Sequence, residues 1–141
     1  MVDSTVEYYN KNAEQFLVET TNVEFSETQN AFFKLLPDGA MILDFGCGSG
    51  RDALEFLRQG YQVDATDGSV EMCHAASELT GLPVCQMLFQ DLNEKEKYDG
   101  IWACSSILHL SRTTLKNVLV KMCRALKDGG DCVFIIQIWY F

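Results

Sequence analysis

The sequence predicts an α/β domain, a parallel β-sheet of about five strands with helices on both faces. Three observations predict it. A short apolar run, Met41-Ile42-Leu43, ends in Asp44 and leads into glycines at alternating positions, Gly46, Gly48 and Gly50. A helical pattern begins directly behind them at Arg51-Asp52. From there, short apolar runs alternate with segments of helical periodicity along the rest of the chain, the pattern of a parallel sheet with right-handed crossovers. Strand, glycine-rich turn and helix is also how open α/β sheets hold nucleotide-like ligands. Glycine adopts positive φ and leaves no Cβ where a ligand must approach.

The elements follow in order. Ser4-Thr5-Val6-Glu7 is a capping box, and Val6, Tyr9, Ala13, Phe16 and Leu17 follow at helical spacing. Ser26-Glu27-Thr28-Gln29 opens a second helix carrying Ala31, Phe32, Leu35 and Leu36. Pro37-Asp38-Gly39 is a turn. Strand one is expected over 40–45 and a helix over 51–59, stopped at Gly60. Strand two is expected over 61–66. Ser69 caps the next helix and Gly81 ends it. Strand three is expected over 84–89 and strand four over 100–105. Ser111 caps a long helix carrying Leu115, Val118, Leu119, Met122 and Leu126. Lys127-Asp128-Gly129-Gly130 then turns the chain into strand five, over 132–138. This reads as one domain over 1–141, with a helical cap over 1–38 and an α/β core over 39–141.

Composition narrows the partners. The 141 residues are 48% hydrophobic and 22% charged, as in soluble globular chains, and a domain of this size buries roughly two-thirds of its unfolded surface. No apolar run approaches the roughly 20 residues of a membrane span. The opening MVDSTVEYYN is acidic and lacks a signal core, so a cytoplasmic location is expected. The net charge is −9, with 11 basic residues and no basic run. Binding to nucleic acid or to an anionic membrane is therefore not expected. Six cysteines are scattered without a CxxC pair and read as reduced core thiols, not as a disulfide frame or a metal site.

Ligands of open parallel sheets bind beyond the carboxyl ends of the strands. Strand one ends in Asp44 and the glycine turn, strand two in Asp67-Gly68-Ser69 and strand three in Gln90-Asp91-Leu92. Strand four ends in Cys104-Ser105-Ser106, with His109 close behind. Asp67, 17 residues beyond Gly50, suits a bidentate hold on two ribose hydroxyls. Asp91-Leu92 can accept from an adenine amino group and cover the ring. Three carboxylates converging on one crevice repel one another unless a ligand brings donors and positive charge.

Asp44-x-Gly46-x-Gly48-x-Gly50 resembles the first motif of class I S-adenosylmethionine (SAM)-dependent methyltransferases. Asp67 is similar to that family's ribose-holding acid and Asp91-Leu92 to its adenine-contacting pair. Tyr98-Asp99-Gly100-Ile101 and Leu126-Lys127-Asp128-Gly129-Gly130 resemble its later signatures, and Tyr8-Tyr9-Asn10 the opening helix of its small-molecule branch. The resemblance implies a Rossmann-like three-layer sandwich with strand order 3-2-1-4-5. It implies SAM as cofactor, S-adenosylhomocysteine as product, and a small molecule as methyl acceptor. It implies a cofactor site of Tyr9, Asp44, Gly46, Cys47, Gly48, Gly50, Arg51, Asp67, Gly68, Ser69, Met72, Gln90, Asp91, Leu92 and Cys104. In that site Gly46 and Gly48 admit the methionine part, Arg51 lies near its carboxylate, and Ser69 and Met72 flank the adenosine. Met72 serves equally well as core. No metal is implied, and His109 is the one candidate general base.

Two other functions compete. An NAD-binding oxidoreductase needs GxGxxG, but the sixth position here is Arg51 where Gly or Ala is wanted. A SAM-binding module without turnover is the second. Members of the family usually continue past strand five, whereas this sequence stops at CVFIIQIWYF. Strand five is then expected to be an apolar sheet edge covered by a second copy, in a homodimer.

Overall fold

The computed structural model of the protein describes residues 26–104 and 106–135. The expected first helix, with Tyr8 and Tyr9, and the end of the last strand lie outside these residues. Helix α1 spans Ser26–Phe33 and buries Gln29 and Phe32. Strand β1, Met41–Phe45, leads through the glycine turn into α2, Arg51–Arg58. Strand β2 spans Gln62–Asp67 and helix α3 Val70–Thr80. Strand β3 is two residues, Cys85–Gln86, and a 3-10 turn follows at Phe89–Asp91. Strand β4 spans Tyr98–Cys104, a second 3-10 turn Ser106–His109, α4 Arg112–Ala125 and β5 Leu126–Ile135.

The caps sit where the sequence places them. Ser69 Oγ accepts from Met72 N–H, and Gly81 at φ 77° ends α3 with its N–H on Ser77 O. Ser111 Oγ accepts from Thr114 N–H at the start of α4. Such caps satisfy backbone groups that a helix end leaves unpaired, for about 1 kcal/mol each.

The sheet runs β3-β2-β1-β4-β5, with every pairing parallel. This is the Rossmann-like order expected. Alternation along the strands sends side chains to opposite faces. Leu43, Phe45, Ile101 and Ala103 pack with Val118, Met122 and Ala125 of α4. Ile42, Val63, Ala65 and Trp102 pack on the other side with Phe32 of α1 and with Ala53 and Phe56 of α2. The three aromatic rings there form one cluster, with Phe32 and Phe56 each 5.2 Å from Trp102. Gly100 explains why α1 can lie on β4, because a Cβ there would come within 2.8 Å of Phe32 and Leu36.

Helix α1 ends at Phe33, short of the expected Leu35 and Leu36, and Leu126, expected on α4, opens β5. Two strands differ further. Strand three is shorter than 84–89 because the chain leaves the sheet after Gln86 and folds Phe89 under the edge, 4.7 Å from the Phe45 ring. Lys127-Asp128-Gly129-Gly130 is not a turn ahead of β5 but an irregular stretch within it. Tyr98 pairs with Leu126 and Gly100 with Asp131, so the extra residues of β5 bulge between the two pairs. Gly129, at φ 77°, takes the left-handed backbone this requires. Among the described residues, no helix is long and apolar enough to cross a membrane.

Candidate functional site

Pairing in parallel register brings the carboxyl ends of β1, β2 and β4 side by side, with Phe45 opposite both Thr66 and Ala103. The glycine turn is knitted to β2 at this end. Thr66 O accepts from both Gly46 N–H (2.9 Å) and Cys47 N–H (2.8 Å). Gly46, Gly48 and Gly50 have φ of 79°, 55° and 86°. All three lie in the left-handed region that side chains disfavour. Gly50 has a second reason to be glycine: a Cβ there would stand 3.0 Å from the backbone of Ala76 in α3.

Asp67 closes the next loop. Its Oδ2 accepts from Gly48 N–H and its Oδ1 from Ser69 N–H, each at 2.9 Å. One carboxylate therefore ties the glycine turn to the start of α3. Burial raises its pKa, while those two hydrogen bonds oppose the rise.

Asp44 is the most constrained group of the site. It is 1% exposed, and its Oδ2 is buried with no hydrogen-bond partner among the described residues. Desolvation drives its pKa well above the ordinary carboxylate range, and the nearby charges of Asp52 and Asp67 push it further. Arg51 and the Ala53 N–H pull the other way. The Cys47 thiol is likewise raised, first by burial and then by the charges of Asp44 and Asp67. Cys73, whose Sγ lies 3.4 Å from Asp67 O, is pushed up to about 11 by burial and by Asp67. These thiols are held protonated and unreactive.

Asp52 is a hub that sequence reasoning missed. It is buried and accepts from Gln29 Nε2 of α1 at 2.7 Å, from Trp102 Nε1 of β4 at 3.0 Å and from Arg51 at 3.1 Å. On sequence alone it reads as an ordinary acid in the first turn of a helix. The available signal was Trp102 in a central strand, since a buried indole N–H needs an acceptor.

The other expected residues divide. Ser69 is buried as the cap of α3, and Met72 is 1% exposed, a core residue in this structure. Leu92 is also core, so what it can offer a ligand is backbone, not a side chain covering a ring. Asp91 is exposed on the 3-10 turn. Gln90 O accepts from Lys121 Nζ of α4, which pins that turn. Gly68 lies in the loop between β2 and α3, its carbonyl accepting from Gln86 Nε2. Cys104 ends β4, opposite Ile135. His109 is exposed on the second 3-10 turn. Tyr9 lies outside the described residues. Among those described, no group of three or more His, Cys, Asp or Glu is placed to hold a metal ion.

This arrangement of sheet, turn and acids defines a class, and comparison with known proteins agrees. Residues 42–130 match the model of the methyltransferase domain family. The chain belongs to that family. It is 32% identical over 133 residues to the uncharacterised protein MJ1252 of Methanocaldococcus jannaschii, covering 92% of this chain and 50% of the relative. It is 33% identical over 102 residues to the S-adenosyl-L-methionine-dependent Diels-Alderase iliD of a Neonectria species, covering 70% of this chain and 39% of the relative. The chain thus spans half or less of the length of these curated relatives. A TehB-like SAM-dependent methyltransferase from Corynebacterium glutamicum shares the fold, with a TM-score of 0.73 at 22% identity over 93% of this chain and 72% of that one.

Proposed function

We propose that the protein binds SAM at the carboxyl ends of β1 and β2 and transfers its methyl group to a small-molecule acceptor. The observation that carries this reading is Oδ2 of Asp44, buried with no hydrogen-bond partner among the described residues and within the fields of Asp52 and Asp67. Such a site is short of positive charge and of donors, and SAM brings an ammonium, a sulfonium and ribose hydroxyls. Asp67 would hold the ribose through lone pairs not used by Gly48 and Ser69. The glycine turn would receive the methionine part, and the backbone of Asp91 and Leu92 the adenine edge. SAM supplies an activated methyl group that an acceptor takes by in-line displacement. The chain's contribution is to hold donor and acceptor close, aligned and out of water, worth up to roughly 7 to 11 kcal/mol in favourable cases. A base is needed only for an acceptor that must lose a proton, and His109 is the residue to test for it. Net charge −9 and Ala103-Cys104-Ser105-Ser106 at the end of strand four, not an Asn-Pro-Pro-Tyr segment, favour a small molecule over nucleic acid. The same reading takes the protein as cytoplasmic and pairs the β5 edge with that of a second copy; light scattering that reports a monomer counts against the pairing.

The test has two stages. SAM and S-adenosylhomocysteine should raise the melting temperature, by about 2.7 kcal/mol of stabilisation at a hundredfold excess over Kd, while NAD should not. Methyl-labelled SAM should then label a member of a metabolite panel. Stabilisation by NAD alone sinks the reading. The Diels-Alderase relative favours a second reading, SAM binding without methyl transfer. Binding of SAM with no label passed to any acceptor selects it.

A further inference from the structure

Asp44 is used by the proposed function only as an electrostatic demand. Its surroundings say more. Its carboxylate accepts from Ala53 N–H, while Oδ2 is buried with no donor among the described residues. The charged groups facing it among the described residues are Arg51 and Asp52 from α2 and Asp67 from the end of β2. The titratable Cys47 thiol of the glycine turn lies nearby. From β4 it faces Trp102, its register partner, which is uncharged. The cation among these, Arg51, already binds Asp52 at 3.1 Å. An ionised oxygen without a donor, out of water and beside two further carboxylates, is the costliest state open to this group. A proton on Oδ2 removes that cost without moving an atom of the fold.

We propose that Asp44 exchanges a proton for the ligand's ammonium group: in the ligand-free protein Oδ2 carries the proton, and Asp44 releases it to solvent when a cationic amino-acid moiety arrives. The inference rests on the proposed cofactor site. One O–H bond breaks at Asp44, one proton leaves, and the ligand enters with its ammonium already protonated, so binding releases one proton. The direction follows from linkage. Ligand binding tightens as pH rises towards the point where ligand-free Asp44 ionises by itself, and levels off above it.

The test compares S-adenosylhomocysteine with 5′-methylthioadenosine, which has the same adenine and ribose but no ammonium. Isothermal titration calorimetry is run from about pH 5 to pH 8, above the ordinary aspartate value of about 3.9, in buffers of different ionisation enthalpy. For S-adenosylhomocysteine the affinity should rise by up to tenfold per pH unit, with release of about one proton. For 5′-methylthioadenosine it should stay flat, which removes Asp67 and the ribose as the source. Asp44→Asn should flatten the first profile. If that variant does not fold, the proton count on the unaltered protein decides alone. Equal slopes for the two ligands, or no buffer dependence, overturn the proton exchange and leave the cofactor reading standing. No heat from either ligand overturns both.

Discussion

Asp52 carries more of the local geometry than any other single side chain described. Three donors from α1, α2 and β4 end on its two oxygens. Removing it leaves a buried indole N–H and a buried amide without this acceptor and takes one ion-pair partner from Arg51. Asp52→Ala should therefore destabilise by about 3 kcal/mol, read as a fall in the urea midpoint at unchanged m-value. Asp44 itself gives the opposite prediction. Its folded pKa is raised, so the folded state binds the proton more tightly than the unfolded chain does. Its contribution to stability is full below the unfolded value of about 3.9 and is lost as pH rises through the folded value. Asp44→Asn should remove that loss. Melting curves of the ligand-free proteins at acid and neutral pH should show the variant gaining on the unaltered protein as pH rises.

At the scale of elements, two glycines set the distances between layers. Gly50→Ala forces a side chain into left-handed backbone and against Ala76 of α3. The backbone strain costs about 1–2 kcal/mol and overpacking about 1–3 more, so a loss of at least about 2 kcal/mol in chemical denaturation is expected. Gly100→Ala would press on Phe32 and Leu36 and lift α1 from the sheet. A change in fluorescence from Trp102, which contacts Phe32, should accompany the lost stability. The elements themselves were largely legible. Ser69, Gly81 and Ser111 mark helix ends by local chemistry, and local chemistry is what a sequence displays. β3 was not legible at its true length. Val84 to Phe89 is apolar enough for six strand residues, yet Phe89 packs its ring on Phe45 instead of extending the edge. The bulge in β5 was hidden for a related reason. Lys-Asp-Gly-Gly signals a departure from regular backbone but not whether the departure lies before a strand or inside it.

Across the whole molecule, stability should grade from the middle of the sheet outwards. β1 and β4 are each paired on both sides and buried between the two cores, whereas β3 contributes two residues at an edge. Hydrogen exchange should accordingly be slowest in β1 and β4 and fast around β3. Added S-adenosylhomocysteine should slow exchange at Gly46 to Gly48 and at Asp67 to Ser69, and leave α4 unchanged; protection confined to α4 would place the ligand elsewhere. The acids at the strand ends were legible because topology sends every parallel strand end to one side, so Asp44 and Asp67 could be paired across 23 residues of sequence without knowing a single distance. The second layer was not. Gln29, Asp52 and Trp102 meet only through packing of α1 on β4, and no spacing along the chain encodes that meeting.

Gly50 bears on how such motifs are inherited. The first glycines of the turn stand beside the ligand's proposed place, but Gly50 is fixed by its contact with α3 and by its own backbone. A descendant that had lost its ligand would still need it in order to fold. The third glycine of DxGxGxG is therefore poor testimony to a living binding site, and so is Asp67, which the fold needs to tie the turn to α3; a search for retired members of this family should weigh Asp44 instead.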